Sequence, residues 1–437
     1  MAEHQLKKTK HKINMYVCGP TVYNHLHIGN IRSTLTFDMI KNALITTGHE
    51  VKYIQNITDI NEKIEMQAKL ENLSIVQTSD KYTKEFLNLL DAFNIKYNTN
   101  DIIPNQMTIV SIKQKMPQII DFIEKLINKG YTYKTDDGIY IKTELIKDYG
   151  RRVANQNVND NSHGIRISNA QKKNENDFVL WKFTAINSYY ASFGNGVPGW
   201  HTECAAIIDH IFNSETIDIH GGGIDLKFPH HENESAQYFA VNKKDLAHNW
   251  LHNGHLSIDN QKMSKSIGNI VLAKDLLDEY TPAQIRLWLA SVDFTKPLNL
   301  SNDTLDAFKK TEQKILQVLS QNRNNLEPKL SNKLLENIQS LDFPKLVNYL
   351  NQSANELSKN IGEVLGILRV LGIEFIPYKY SQSMNNLIYQ RLIAKTDKDF
   401  KLADEIKNTI MKEESGVQLI DTQINGVADS YILGKLK

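Results

Sequence analysis

Between Ile217 and Glu234 the chain runs Ile-Asp-Ile-His-Gly-Gly-Gly-Ile-Asp-Leu-Lys-Phe-Pro-His-His-Glu-Asn-Glu. Ile217 and Ile219 alternate with Asp218 as in a short strand. Gly221, Gly222 and Gly223 carry no Cβ, so a flat ligand can lie against bare backbone there. Asp225 is an acceptor suited to a ribose hydroxyl. Pro229 suits the first turn of a helix, where its missing N–H costs nothing. In that helix His230 and Glu234 are four apart and leave from one face. An imidazole and a carboxylate so spaced can grip one metal ion. Glycine triples are usually loops, and a His/Glu pair is more often a solvated helix face, so the stretch needs support from elsewhere. It is not the H-E-x-x-H protease pattern, because Ser235 stands where the second histidine belongs.

A second stretch with chemical potential is His27-Ile28-Gly29-Asn30. If a helix opens here, its free N–H groups and the positive end of its dipole face an incoming phosphate. His27 adds a proton donor and Gly29 leaves room. A third is Lys262-Met263-Ser264-Lys265-Ser266, followed by Gly268-Asn269. Two point charges with hydroxyl donors on a flexible loop suit a polyphosphate. Taken singly, each short motif is more often an ordinary turn or a solvated charge cluster.

Residues 13–57 must position the second stretch, and they form a β-α-β pattern. Ile13, Met15, Tyr16 and Val17 make a buried strand ending at Gly19-Pro20. From Gly29 a helix follows with Ile31, Leu35, Met39, Ile40 and Leu44 on one face, and Gly48 caps it. Val51, Tyr53, Ile54 and Ile57 make the next strand. A right-handed crossover makes the two strands parallel, the start of a nucleotide-binding sheet. Asn56-Ile57-Thr58-Asp59 closes the second strand, with Thr58 at the ligand crevice. Residues 62–97 and 107–129 are expected to be helical, and 131–142 strand-like. Residues 147–176, rich in Asn, Asp, Gln and Lys, have the composition of a mobile insert or linker. Phe178 to Phe183 returns to core, and an apolar helix through Ile207, Ile208 and Ile211 follows Trp200-His201-Thr202-Glu203-Cys204. Residues 302–321, 331–340, 344–371 and 384–412 are helical in period and suggest a separate bundle. Val417–Ile420 and Tyr431–Leu433 are strand-like.

Composition excludes several classes. At 437 residues the chain is long enough for two to four domains. With 41% hydrophobic and 23% charged residues it is ordinary for a soluble protein. A net charge of +1 makes no case for a polyanion partner beyond a local basic groove. Two cysteines, Cys18 and Cys204, cannot form a disulfide framework and point to a reducing cytoplasm. The basic N-terminus is followed by no apolar stretch of signal-peptide length. No apolar run approaches the roughly 20 residues of a membrane span, so no membrane is expected.

His27-Ile28-Gly29-Asn30 and Lys262-Met263-Ser264-Lys265-Ser266, in that order, resemble the two signature motifs of class I aminoacyl-tRNA synthetases. Tyr16 to Tyr23, Asn56 to Asp59, Gly199 to Cys204 and His220 to Glu234 are similar to cysteinyl-tRNA synthetases. The likeness covers most of 13–300 and continues more weakly beyond. It implies an α/β fold: a Rossmann-like parallel-sheet catalytic domain with an insertion, then an α-helical C-terminal domain with a small mixed end. The implied division is 1–104 and 196–270 for the two catalytic halves, 105–195 for the insertion, and 271–310 for a stem-contact connection. A helical tRNA-binding bundle at 311–380 and an anticodon-binding region at 381–437 complete it.

Carried over residue by residue, the resemblance places zinc on Cys18, Cys204, His230 and Glu234. The only two cysteines thus fall where the metal needs soft ligands. It places the amino acid against Cys18, Thr58 and Trp200. It places ATP, with Mg²⁺, against His27, Gly29, Asn30, Gly221, Gly222, Gly223, Asp225, Lys262, Ser264, Lys265 and Ser266. His27, Asn30, Lys262 and Lys265 are the implied catalytic residues. The implied substrates are L-cysteine, ATP and cysteine tRNA, for a monomer. A ligase passing cysteinyl-adenylate to a small amine would share the zinc and ATP motifs, but would not need the long helical region. A non-catalytic RNA-binding relative would be expected to have lost ligands or lysines that this chain keeps. Two departures stand out: Asn30 where the family often has a second histidine, and Tyr431 as the only aromatic after Phe400, where a tryptophan is expected.

Overall fold

The structure is a computed structural model describing residues 11–154, 172–185, 187–259, 261–263, 268–322, 326–413, 418–424 and 427–437, without the side chains of Lys262 and residues 422–429. The chain divides into two compact units, Met1–Asp91 with Ile95–Leu276 and Phe294–Asn299 forming the first.

In the first unit, β1 (Lys12–Val17), α1 (Ile28–Thr46) and β2 (Glu50–Ile57) build the expected β-α-β unit. The α1 residues Ile31, Leu35, Met39, Ile40 and Leu44 are all buried. Gly48, at φ +93°, turns the chain out of α1 in a left-handed conformation. Strands β1 and β2 run parallel, Lys12 opposite Glu50 through Val17 opposite Gln55. The helices α2 (Glu62–Glu71) and α3 (Ile75–Ala92) lead to β3 (Tyr97–Asn98) and β4 (Met107–Ser111). Further along come α4 (Met116–Asn128), β5 (Thr132–Lys134), β6 (Gly138–Ile141), β7 (Val179–Phe183) and β8 (Gly196–Pro198). Helix α5 (Trp200–Ile211), β9 (Ile217–Gly223), α6 (Glu232–Asn242) and β10 (Ala247–Asn253) return the chain to the main sheet. That sheet has the order β10-β9-β1-β2-β4-β3 and is parallel throughout. Neighbours in the sheet far apart in sequence bring the ends of β1 and β9 side by side, Val17 opposite Gly221. Ligands bind at such carboxyl ends. A separate antiparallel sheet, β5-β6-β7-β8, lies between the strands β4 and β9 in sequence. The hairpin β11 (Leu256–Ile258) and β12 (Gln261–Lys262) leads to the lysine-serine loop.

Several expectations change. Residues 62–97 form two helices, broken where Asn72 takes φ 54°. Residues 107–111 are a strand, because the β-branched Thr108, Ile109 and Val110 suit a buried pleat against β2. The glycine triple completes β9 rather than looping out, and Trp200–Cys204 opens α5 rather than preceding it. Pro229 sits in a π-turn, Lys227–His231, ahead of α6. Tyr149 to Ala154, whose composition suggests a linker, are hydrogen-bonded to α6; residues 155–171 of that segment lie outside the described residues.

In the second unit the region 344–371 is three helices, Phe343–Leu350, Ala354–Lys359 and Ile361–Val370. Ser353 and Glu356 form a capping box that starts the middle one afresh. Residues 384–412 are likewise two helices, Gln382–Thr396 and Phe400–Glu413, with Lys398 at φ 62° between them. Buried Arg391 ties them to the terminal ribbon through Ala403 O, Asp421 and Ser430. The ribbon itself pairs Leu419–Ile424 with Val427–Ile432.

Two contacts hold the site end of the first unit. The ring of Phe37 on α1 packs against Gly221, where a Cβ would approach to 2.2 Å. Gly221→Ala is therefore expected to destabilise by about 1–3 kcal/mol through overpacking, read as a lower denaturation midpoint. Arg32 of α1, 1% exposed, donates to the carbonyls of Gly254, His255, Phe294 and Lys296. Burial brings its pKa down to about 10, still charged at neutral pH. Arg32→Met leaves these carbonyls without that donor, and a loss of about 3 kcal/mol or more is expected in the same measurement.

Candidate active site and metal centre

Cys18 follows β1 directly, its N–H donating to Gly221 O across to β9. Cys204 comes from α5, His230 from the π-turn and Glu234 from the first turn of α6. All four side chains are buried, and their donor atoms lie within 4.8 Å of one another. The Sγ atoms of Cys18 and Cys204 are 3.7 Å apart and remain free thiols. His230 Nε2 lies 3.5 Å from Cys18 Sγ and 3.8 Å from Cys204 Sγ. Glu234 Oε1 lies 3.3 Å from Cys18 Sγ. A tetrahedral ion with metal–sulfur bonds of about 2.3 Å and metal–nitrogen bonds of about 2.0 Å needs edges of roughly 3.5–3.8 Å. The sulfur–sulfur and sulfur–nitrogen edges of the cluster, 3.5–3.8 Å, have that size, and the Cys18–Glu234 edge at 3.3 Å is slightly shorter. The His230–Glu234 edge, 2.7 Å, is shorter and is a direct ion pair. The cluster can hold a metal by both donor type and spacing.

Burial and neighbouring charges shift all four groups. Burial opposes ionisation of Glu234, yet His230 and His220 hold its carboxyl well below the usual range. Burial likewise opposes a charged His230, but Glu234 and Cys204 raise it to about 10. For Cys204, burial is outweighed by the Cys18 hydrogen bond and His230, and its pKa falls to about 6. Burial and Cys204 push Cys18 up. A metal ion would bind these groups only with His230 and Cys18 deprotonated, so its binding would release protons.

A further ring of side chains holds the cluster; of these the resemblance gives a role only to Trp200, at the amino-acid site. His201 Nδ1 meets His230 Nδ1 at 3.0 Å, which turns Nε2 to the cluster. Trp200 stacks on the His230 ring at 4.3 Å. His220 Nε2 holds the outer oxygen of Glu234 at 2.6 Å and itself stacks on Trp250 at 4.6 Å. Asn56 Oδ1 accepts from Tyr16 and from the Gly19 N–H. The density of histidines between His220 and His252 was the available signal.

Beside the cluster a cleft of about 440 Å³ is lined by Cys18, His27, Gly29, Asn30, Trp200, Gly223, Asp225 and Met263, among others. His27 is the N-cap of α1: its Nδ1 accepts from the Asn30 N–H, and Asn30 Oδ1 accepts from the His27 N–H. Asn30 thus completes a capping box, a local role independent of charge. With Nδ1 accepting, a neutral His27 ring carries its proton on Nε2. The segment after the lysine-serine loop pairs back here, Ile28 N–H to Val271 O and Ala273 N–H to Leu26 O. A Cβ on Gly29 would come within 2.9 Å of Met263 Cε, so the two motifs adjoin. Thr58, Gly221 and Gly222 are not among the lining residues. Thr58 is buried, donating to Glu203, and a Cβ on Gly222 would face His231. The side chain of Lys262 and residues Ser264, Lys265 and Ser266 lie outside the described residues.

Residues 4–310 match the family described as tRNA synthetases class I (C) catalytic domain. The cysteine–tRNA ligase of Malacoplasma penetrans is 36% identical, over 93% of this chain and 97% of its own length. That of Staphylococcus haemolyticus is 35% identical over 94% of each. Among solved structures, Mycobacterium tuberculosis methionyl-tRNA synthetase bound by methionyl-adenylate aligns with TM-score 0.58 at 12% identity, over 82% of this chain and 88% of that one. That likeness concerns the fold. With His27, Gly29, Asn30 and Met263 lining one cleft beside a Cys-Cys-His-Glu cluster, these matches place the chain in the cysteine–tRNA ligase family of class I aminoacyl-tRNA synthetases.

Proposed function

We propose that the protein activates L-cysteine with ATP and transfers it to the terminal adenosine of cysteine tRNA, with zinc at Cys18, Cys204, His230 and Glu234. The observation that carries this reading is that the chain's only two cysteines meet His230 and Glu234, with Cys18 also lining the adjoining cleft. Cysteine and serine differ by sulfur for oxygen, a difference that a plain pocket discriminates poorly. Zinc, when bound, supplies a soft Lewis acid that favours a thiolate over a hydroxyl.

The chain's own residues do the rest by positioning. Trp200, stacked on His230, walls the amino-acid side of the cleft. Thr58 sits behind it, fixed by Glu203 and Asn56. The substrate brings its own nucleophile, a carboxylate oxygen that attacks the α-phosphorus of ATP with loss of pyrophosphate. No general base is needed for that step, so orientation and charge stabilisation dominate. His27 Nε2–H and the α1 N-terminus stabilise the α-phosphate charge. Asn30 holds His27 in place through the capping box. Gly223 and Asp225 take the adenosine, with Gly221 and Gly222 shaping the strand beneath. Lys262 and Lys265, with Ser264 and Ser266, take the β- and γ-phosphates together with Mg²⁺. The regions 271–310, 311–380 and 381–437 contact the tRNA stem, body and anticodon.

No described helix is long and apolar enough to cross a membrane. Two free thiols fit a reducing cytoplasm, where the protein acts as a monomer.

The test is charging of total tRNA by the purified protein with ATP and Mg²⁺, cysteine and serine in parallel. Cysteine alone should be charged. Adenylate formation without charging would favour transfer to a small amine instead. Lys265→Ala should lower the rate of adenylate formation about 10²–10³-fold; an unchanged rate removes Lys265 from the phosphate site.

A further inference from the structure

Glu232 lies two residues from each α6-side ligand and is completely buried, yet it belongs to neither the metal cluster nor the cleft lining. Its two carboxylate oxygens are taken up by the backbone of a segment some eighty residues earlier. Oε1 accepts from the N–H groups of Gly150 at 2.7 Å and Arg152 at 3.2 Å. Oε2 accepts from those of Val153 at 2.7 Å and Ala154 at 3.1 Å. Gly150, at φ +90°, takes the left-handed conformation that lets neighbouring N–H groups converge on one anion. The same segment is fastened on either side of this grip. Tyr149 Oη donates to Asn233 Oδ1 at 2.7 Å, Arg152 Nε donates to Ser235 Oγ at 3.2 Å, and the Arg152 guanidinium lies over the Phe239 ring. Residues 149–154 therefore form a strap along the first turns of α6.

Helical geometry says what the strap does to the cluster. At 3.6 residues per turn, positions two apart diverge by about 200°. Glu232 and Glu234 consequently point to opposite sides of α6, one to the strap and one to Cys18. Gripping the back of the first turn fixes its rotation, and that rotation sets where the Glu234 oxygen stands. A helix N-terminus otherwise frays, because its first N–H groups lack intrahelical partners. The structure assigns Glu232 as a positioning residue for the metal set, acting through the 149–154 strap; this rests on the metal reading of the proposed function. A charged group held only for stability would lower the unfolding midpoint and leave the cluster's affinity alone.

The experiment compares full-length wild type with Glu232→Gln, which keeps the shape but presents N–H to half of the strap's donors. Zinc affinity is read by competition with a chromophoric chelator, together with KM for cysteine and for ATP. Zinc affinity should fall about 10–100-fold, the usual effect of losing a ligand's outer support. KM for cysteine should rise while KM for ATP stays within about twofold. Tyr149→Phe, which loosens the strap without touching the carboxylate, should shift both quantities in the same direction by less. Zinc affinity and KM for cysteine equal to wild type in folded Glu232→Gln overturn the assignment. If that variant does not fold, Tyr149→Phe combined with Arg152→Ala decides, and unchanged zinc affinity there overturns it. A wild-type protein that binds no zinc overturns the metal reading itself, and this assignment with it.

Discussion

Four donor atoms from separate stretches of chain meet where β1 and β9 end side by side, and much of the first unit exists to keep them there. Burying two thiols, an imidazole and a carboxylate without compensation is costly. The molecule offsets that cost with opposite charges inside the cluster and with a ring of fixed neighbours. His220 holds one oxygen of Glu234, His201 meets the second nitrogen of His230, and Trp200 and Trp250 stack on the rings. The four side chains are thereby held in one geometry, which the proposed coordination of one further sulfur would require.

The same end of the sheet also carries the cleft beside the cluster. Helix α1 turns its N-terminus into the cleft, and the His27–Asn30 capping box closes the turn. Arg32, one turn further on, gathers four carbonyls from the segments around residues 254 and 295. The helix that would stabilise phosphate charge and the hairpin leading to the lysine-serine loop are thus one mechanical piece. Activation chemistry needs little covalent help from the protein, so this rigidity is the main catalytic resource.

The grouping of Cys18, Cys204, His230 and Glu234 was legible through the family resemblance, since the His230–Glu234 spacing alone is more often a solvated helix face, and the structure brings the four together. The β-α-β start was also legible, its periods matching α1 and its flanking strands closely. Legibility failed where distant partners decide local structure. Residues 107–111 alternate too little to betray a strand, since both faces are covered. The strap at 149–154 has the polar composition of a linker, and it is the buried carboxylate of Glu232, with Asn233, Ser235 and Phe239, that gives it order. Asn30, expected at the ATP site, lines the cleft, and its side chain also completes a cap that the motif did not announce. The roles of His201 and His220 depend on tertiary neighbours that no local pattern contains.

The central claim is that the metal selects substrate by taking its sulfur as an additional ligand. Zinc-edge X-ray absorption of the purified protein tests it directly, with and without L-cysteine and with L-serine as control. Two sulfur neighbours at about 2.3 Å should become three with cysteine and stay at two with serine. A sulfur count unchanged by cysteine would contradict the account.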